Sequence, residues 1–320
     1  MTADARLRRF FAAMAIAAAA LTFVVIVASA FMRHTQAGLG CADWPACYAR
    51  MAADVPDSTP STGVRIARIA HRLAATSVLA LVVGMLLVAW TQRPTWKREG
   101  TLALAAFVVA AALAVLGILT PGAKLPAVTL GNLGGGYLML ALFAALAATA
   151  IRAGDAATPW TASAAPLRWI ALAVLAVAFA HAIVGGMIGA QYALPACPTL
   201  GKCEGFPFDD FRVTAAFDAF RPLIIADGRV VPPAGAAAPF VVHRATAIVV
   251  AVVVLVLAHA LRRIDRRRAL ILAALALAAP LLGVAAIVNV PSLPLTVLHN
   301  AAAALLIAAL AHVAARPGSG

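Results

Sequence analysis

The sequence predicts an all-α integral membrane protein whose eight transmembrane helices form two four-helix bundles, arranged as a parallel repeat. Of its 320 residues, 64% are hydrophobic and 12% are charged, whereas soluble domains carry about 25% charged residues. Eight apolar stretches are each long enough for the roughly 20 residues that cross a bilayer as a helix. The cysteine and histidine pattern of the first half recurs in the second. The eight stretches are residues 10–32, 70–91, 101–120, 127–151, 168–190, 241–261, 269–290 and 294–315.

The first stretch is longer than the apolar region of a signal peptide and has no small-residue cleavage site, so we expect it to be a retained helix. The net charge of +13 would suit a nucleic-acid-binding protein, but the basic residues cluster at the ends of the predicted helices. Short cytoplasmic loops carry the excess of Lys and Arg. This distribution predicts a multi-pass protein of the bacterial inner membrane with lipid as its surroundings, both termini in the cytoplasm, and no nucleic-acid partner. The basic clusters precede stretch 1, join stretches 2–3, 4–5 and 6–7, and follow stretch 8.

The four cysteines lie in the two long loops that this topology places outside, residues 33–69 and 191–240. An oxidising compartment permits disulfides there, and four cysteines allow three pairings. The local pairing is favoured because each bond then closes a short ring within one loop: Cys41 with Cys47, and Cys197 with Cys203. Metal binding is the alternative, but a spacing of six residues fits neither CxxC nor a common zinc pattern.

A histidine-arginine dipeptide follows each cysteine loop and opens a long apolar run, as His71-Arg72 in the first half and His243-Arg244 in the second. Ionisable side chains inside membrane spans are rare and usually functional. The recurrence predicts an internal duplication with two domains, residues 1–155 and 156–320. Because each half would cross the membrane four times from the same side, the repeats are predicted to be parallel.

A second pair of segments aligns without a gap. LPAVTLGN (125–132) matches LPLTVLHN (293–300), so His299 falls opposite Gly131, and Asn300 falls opposite Asn132. The second half therefore has one more imidazole than the first.

The depths of two histidines match in the predicted topology. His243 lies near the outer end of the sixth helix, and His299 lies about 7–8 Å inside the eighth, which enters from the same side. Two neutral imidazoles at one depth can ligate haem iron from both faces, and Arg244 could pair with a propionate. His71 and Arg72 repeat half of this arrangement. The alternative is that these histidines are hydrogen-bonded packing residues, which is also the role we expect for His181.

The segment RHTQAGLGCADWPACY (33–48) resembles the first outer loop of the haem A synthase family, with its GLxCxDWPxC pattern. The HR, LG, cysteine-pair, HR and LPxxxxxH motifs follow in the family's order across 10–315. The resemblance implies two four-helix bundles that oxidise the C8 methyl of haem O to the formyl of haem A, for cytochrome oxidase. It also implies that His243 and His299 hold a haem B cofactor while the first bundle receives haem O. Haem O synthase and the terminal oxidase subunit I are the partners it suggests.

The first half departs from the family pattern at two places. The family has a Glu three residues before the first HR histidine, where this chain has Arg68, and a substrate-side histidine where Gly131 and Asn132 stand. A cation cannot act as a carboxylate base, and Asn is a poor substitute for imidazole as an iron ligand. Three hypotheses remain: a haem A synthase, a non-catalytic haem-binding homologue in oxidase assembly or haem handling, and a dihaem-like electron carrier. The carrier would need a second axial histidine in the first half.

Overall fold

A computed structural model describes residues 3–39, 41, 43–44, 46–50, 61–92, 96–120, 125–154, 165–203, 213–288 and 291–315, with side chains for all of these except 151–154, 165 and 213. In this part of the chain, eight helices are long and apolar enough to span a membrane. The prediction of an all-α integral membrane protein with eight spans is confirmed. The helices are α1 Ala3–Gln36, α2 Thr62–Thr91, α3 Lys97–Leu119, α4 Pro126–Gly154, α5 Ala165–Ala190, α6 Ala237–Leu261, α7 Arg266–Ile287 and α8 Leu293–Ala314.

Local capping explains where several helices begin. Ser61 accepts a hydrogen bond from the backbone N–H of Val64 and starts α2 eight residues before the apolar run at residue 70. Asp265 caps α7, and Ser292 caps α8, in each case by accepting a bond from a backbone N–H three residues later. Side-chain oxygens at this position satisfy donors that the first turn leaves unpaired. The predicted first loop is therefore shorter than 33–69, because residues 62–69 are helical.

The lateral surface of the helices is apolar. Large side chains such as Ile118, Leu119 and Trp169 are more than two-thirds exposed, which suits a hydrocarbon environment and would be costly in water. α4 is the most enclosed span, and its Tyr137, Phe143 and Leu146 are buried.

The two largest clusters of buried side chains lie in the two halves of the chain, and a smaller cluster connects them. One cluster comes from α1–α4 and the other from α5–α8. A third, which includes Ile26, Tyr137 and Ile307, joins α1, α4, α5 and α8. The clusters follow the two halves of the sequence, while the parallel duplication and the domain boundary between 155 and 156 remain predictions.

The second cysteine-bearing loop leads into a β-hairpin that the sequence analysis does not include. Strands β1 (Ile224–Ala226) and β2 (Arg229–Val231) pair in antiparallel fashion around Asp227 and Gly228, which both have positive φ, 49° and 66°. Two such residues form the tight turn that matches strand twist, and Asp-Gly is a common sequence for it.

The two cysteine-bearing loops lie at the same end of the molecule. The backbone N–H of Val230 in β2 donates to the carbonyl of Ala49 in the first loop, at 3.3 Å. Val230 also packs with Leu39 and Tyr48 in one buried cluster. Both loops therefore face the same side of any membrane that the helices span.

The side of the membrane that the two cysteine-bearing loops face can be measured. Reporter fusions at residues 54 and 205, which lie outside the described residues, are expected to be active outside the cytoplasm, and fusions at 96 and 265 inside it. The reason is the excess of Lys and Arg in the short loops. A cytoplasmic reporter at residue 205 would contradict the predicted orientation.

Candidate functional site

All four cysteines are paired in the predicted way. Cys41 is bonded to Cys47, and Cys197 is bonded to Cys203. The local pairing is confirmed. Among the described residues, no group of three or more His, Cys, Asp or Glu side chains is arranged to hold a metal ion by itself.

Three histidines from three helices meet in the second half. The rings of His243 on α6 and His299 on α8 have centroids 6.1 Å apart and perpendicular planes. His181 on α5 stacks on His243, with centroids 4.2 Å apart and planes 7° apart. The matched depth predicted for His243 and His299 agrees with this contact, since each lies six residues after the first residue of its helix, Ala237 or Leu293. The stack with His181 was not predicted.

The hydrogen bond of His299 defines the state of its ring. Its Nδ1–H donates to the backbone carbonyl of Ala279 on α7, at 2.8 Å. The lone pair of a neutral imidazole then resides on Nε2. A backbone carbonyl in this position is a common way to fix the tautomer and orientation of a histidine that binds a metal through its other nitrogen.

His181 is held by a second hydrogen bond between helices. Its Nδ1 lies 2.8 Å from Oγ1 of Thr246 on α6, and the Thr246 hydroxyl lies 2.7 Å from the carbonyl of Val242. Because that hydroxyl has one proton and donates it to the carbonyl, it accepts from the Nδ1–H of His181. The interhelical hydrogen bond expected for His181 is present.

Glycines make room for the two facing rings. A Cβ atom on Gly185 of α5 would lie 2.6 Å from Cε1 of His243, and one on Gly283 of α7 would lie 3.1 Å from Cε1 of His299. Gly185 is one helical turn after His181, so both face His243 from α5. A side chain at Gly185 would need the space that the ring of His243 fills.

The geometry of His243 and His299 suits ligation of one iron atom by both rings. Imidazole nitrogens bind metals at about 2 Å, so two rings on opposite sides of one ion have centroids about 6 Å apart. His243 also has a buried Nδ1 without a hydrogen-bond partner among the described residues. The two rings and their separation therefore match a bis-imidazole site, while the Cε1 edge of His243 faces Gly185 of α5 in this structure.

Arg244 connects α6 to the second disulfide loop. Its guanidinium donates to the carbonyls of Leu200 at 2.8 Å and Thr199 at 3.3 Å, and one of its N–H groups lies 3.6 Å from Sγ of Cys203. We expected these guanidinium N–H groups to donate to a propionate, but in the structure they donate to the loop carbonyls. Arg244 thus positions the loop above the histidines, and its predicted pairing with a propionate remains a prediction.

The first half contains a cavity of about 500 Å³ between α1, α2, α3 and α4. Its walls are mainly apolar, and its polar lining includes His71, Arg33 and Asn132. His71 is half-buried, whereas Arg72 is exposed and does not line the cavity. Arg68, which replaces the family's Glu, is also exposed. Sequence analysis predicted a role for His71 and Arg72, and of the two the structure places His71 at the cavity.

No second imidazole faces His71 from α4 at the aligned position. A Cβ on Gly131 would lie 3.1 Å from Cδ2 of Leu116, and the amide of Asn132 donates to its own helix at Val128 O, 3.0 Å away. Asn300 makes the same bond to the carbonyl four residues earlier, at 2.8 Å. The aligned segments share this local feature, and they differ at the next position back, where the second half has His299 and the first half has Gly131.

Three features of these sites follow from packing and are not predicted by the sequence: the contact of Gly185, the stack of His181 and the position of Arg33. The sequence places Gly185 one helical turn after His181, but it does not indicate that Gly185 contacts His243 on α6. The contact between the rings of His181 and His243 depends on how α5 and α6 rotate about their axes. Arg33 was present in the family-like motif, yet its position at the cavity follows from packing.

Comparison with known proteins gives a family for the chain. Residues 12–311 match the family model COX15-CtaA, described as cytochrome oxidase assembly protein. The chain is 29% identical over 311 residues to a protein from Shewanella oneidensis named "Heme A synthase", a match that covers 90% of this chain and 91% of that protein. The chain belongs to the COX15-CtaA family of cytochrome oxidase assembly proteins.

Proposed function

We propose that this chain is a haem A synthase that oxidises the C8 methyl of haem O to the formyl of haem A for cytochrome oxidase. The observation that carries the proposal is the His243–His299 pair, with its 6.1 Å ring separation and the carbonyl-bound Nδ1 of His299. Its whole-length similarity to a protein named "Heme A synthase" supports the reaction class.

In this proposal His243 and His299 would hold a haem B, which would supply a one-electron redox centre. The net oxidation of the methyl to the formyl takes one oxygen atom from water and releases four protons and four electrons, so it also requires an external electron acceptor. Ala279 keeps Nε2 of His299 available, and the stacked ring of His181 limits rotation of His243. The apolar walls of the four-helix cluster exclude water from the site. The role of the first half is to receive haem O in the 500 Å³ cavity beside His71.

The proposed reaction also indicates the membrane location of the protein and its partner proteins. Haem O and haem A are hydrophobic, so a multi-pass protein of the bacterial inner membrane, with both termini in the cytoplasm, can exchange them with other membrane proteins. Haem O synthase would supply the substrate, and subunit I of the terminal oxidase would take the product.

A second candidate is a haem-binding homologue without hydroxylase activity that acts in oxidase assembly or haem handling. Two features favour it over an enzyme. The exposed Arg68 replaces a carboxylate, and Gly131 packs against Leu116 where a substrate-side imidazole is expected.

Haem extraction from cells that make haem O distinguishes the candidates. The chain is expressed together with a haem O source, and the extracted haems are separated by chromatography. We expect haem A to appear with the wild-type chain and not with the empty vector or with His299→Ala. Unchanged haem O together with protein-bound haem B would identify a binder instead. Absence of bound haem B would contradict both candidates.

A further inference from the structure

We propose that Arg33 is the carboxylate anchor of the first-half cavity, and that this cavity takes a mainly apolar molecule carrying at least one carboxylate. This inference rests on the proposed function in naming the ligand, since the propionates of haem O are such carboxylates. The inference assigns the binding of these carboxylates to Arg33 on α1 rather than to Arg72, the arginine of the His-Arg dipeptide on α2.

The guanidinium of Arg33 has almost no partners within the protein. Its Nε is buried and has no hydrogen-bond partner among the described residues. One terminal nitrogen lies 3.5 Å from Nε2 of His34, at the limit of a hydrogen bond. The described part of the chain provides no carboxylate that pairs with it.

The ionisable neighbours of Arg33 cannot balance its charge. They are the phenols of Tyr48, Tyr137 and Tyr192 and the ring of His34. Burial raises the pKa of Tyr48 above its usual value, Tyr192 raises it further and Arg33 opposes the rise, so this phenol stays neutral. An Arg side chain stays protonated in proteins. Arg33 is partly buried, with its Nε fully enclosed, so its charge is unfavourable without a counter-ion and an anionic ligand would stabilise this arrangement.

The position of Arg33 gives it access to a ligand. Arg33 lines the 500 Å³ cavity together with His71 and apolar side chains such as Ile26, Leu113 and Met139. The volume lies within the range of small-molecule and cofactor sites, about 300–1,000 Å³. A molecule with an apolar body and a carboxylate at one end matches this distribution of polar and apolar groups.

The other candidate arginines are less suitable. Arg72 is exposed and does not line the cavity, and Arg244 donates to the carbonyls of Thr199 and Leu200. Arg244 also has a buried Nε without a partner among the described residues, but it does not line this cavity, whereas Arg33 combines such a donor with a position in the cavity wall.

The test uses iron-free protoporphyrin IX and its dimethyl ester, because neither can be ligated by histidine. Full-length protein in lipid nanodiscs, with its low-spin haem retained, is titrated with each porphyrin by fluorescence, and empty nanodiscs correct for partition into lipid. We expect the diacid to bind wild type more tightly than the ester. Arg33→Gln should weaken binding of the diacid about 10- to 100-fold, the loss typical of a charge-assisted hydrogen bond, and leave binding of the ester unchanged.

Two further variants complete the design. Arg65→Gln removes an exposed arginine of α2 and should leave both affinities unchanged. Arg33→Lys keeps the charge but loses the two-pronged geometry, so an intermediate preference for the diacid is expected. Arg33→Lys also replaces Arg33→Gln as the test variant if Arg33→Gln cannot be purified with its low-spin haem.

Equal binding of diacid and ester by wild type would overturn the inference, as would a diacid affinity that Arg33→Gln does not change. The proposed function is measured separately, as haem A formation. Wild type that makes haem A without preferring the diacid would disprove the anchor and leave the enzyme. Wild type that prefers the diacid through Arg33 but makes no haem A would support the anchor in a haem-binding homologue.

Discussion

Replacing His243 or His299 with Ala is expected to remove the low-spin b-type haem signal from the purified protein. The two rings lie 6.1 Å apart, and Nε2 of His299 keeps its lone pair because Nδ1 donates to Ala279. Each substitution would remove one of the two proposed iron bonds and leave the apolar walls in place. The reduced-minus-oxidised spectrum should therefore change to a high-spin form or disappear.

His71→Ala and His181→Ala are the matched controls. His71→Ala should leave the low-spin spectrum largely intact, since Gly131 gives His71 no opposite imidazole at the aligned position of α4. His181→Ala removes a ring that stacks on His243 without removing either proposed iron bond, so low-spin haem should be retained. If His71→Ala abolished the low-spin signal and His299→Ala did not, the cofactor would belong to the first half.

The helices were predictable because lipid-facing and buried positions are both apolar in a membrane protein, so each span appears as a continuous run. The start of α2 was not predictable in this way. Residues 62–69 include Arg65 and Arg68, so composition indicated a loop, while the structure shows a helix that Ser61 caps. Capping by a single side chain is a local effect that apolar length does not detect.

The part of the candidate site that depends on how deep each residue lies in the membrane was predictable. His243 and His299 could be matched because both follow a helix start on the same side. The stack of His181 on His243 and the position of Arg33 depend on the rotation of helices about their axes, which packing decides. The hairpin around Asp227-Gly228 has a sequence signal, since Asp-Gly is common in tight two-residue turns.

The glycine beside His243 provides a second large effect. In Gly185→Ala the new methyl group would lie 2.6 Å from Cε1, 3.0 Å from Nδ1 and 3.2 Å from Nε2 of the ring. Real Cβ atoms do not approach carbon so closely, so the contact must open, and the ring of His243, at the end of a side chain, moves more easily than the backbone of α5. Ala is favoured over Gly in a helix interior by about 1 kcal/mol, so α5 itself should tolerate the change and the protein should remain folded.

We therefore expect Gly185→Ala to yield folded protein that has lost most of its low-spin haem. A displaced His243 ring would no longer face His299 at the separation that one iron atom requires. Gly283→Ala should have a smaller effect, because its methyl group would lie 3.1 Å from the ring of His299. Gly117→Ala is the control, since nothing lies within 4 Å of the added atom. Haem content per protein and the reduced-minus-oxidised spectrum should rank the variants in that order, with Gly185→Ala lowest. Low-spin haem at the wild-type level in Gly185→Ala would show that His243 need not occupy this position to bind it.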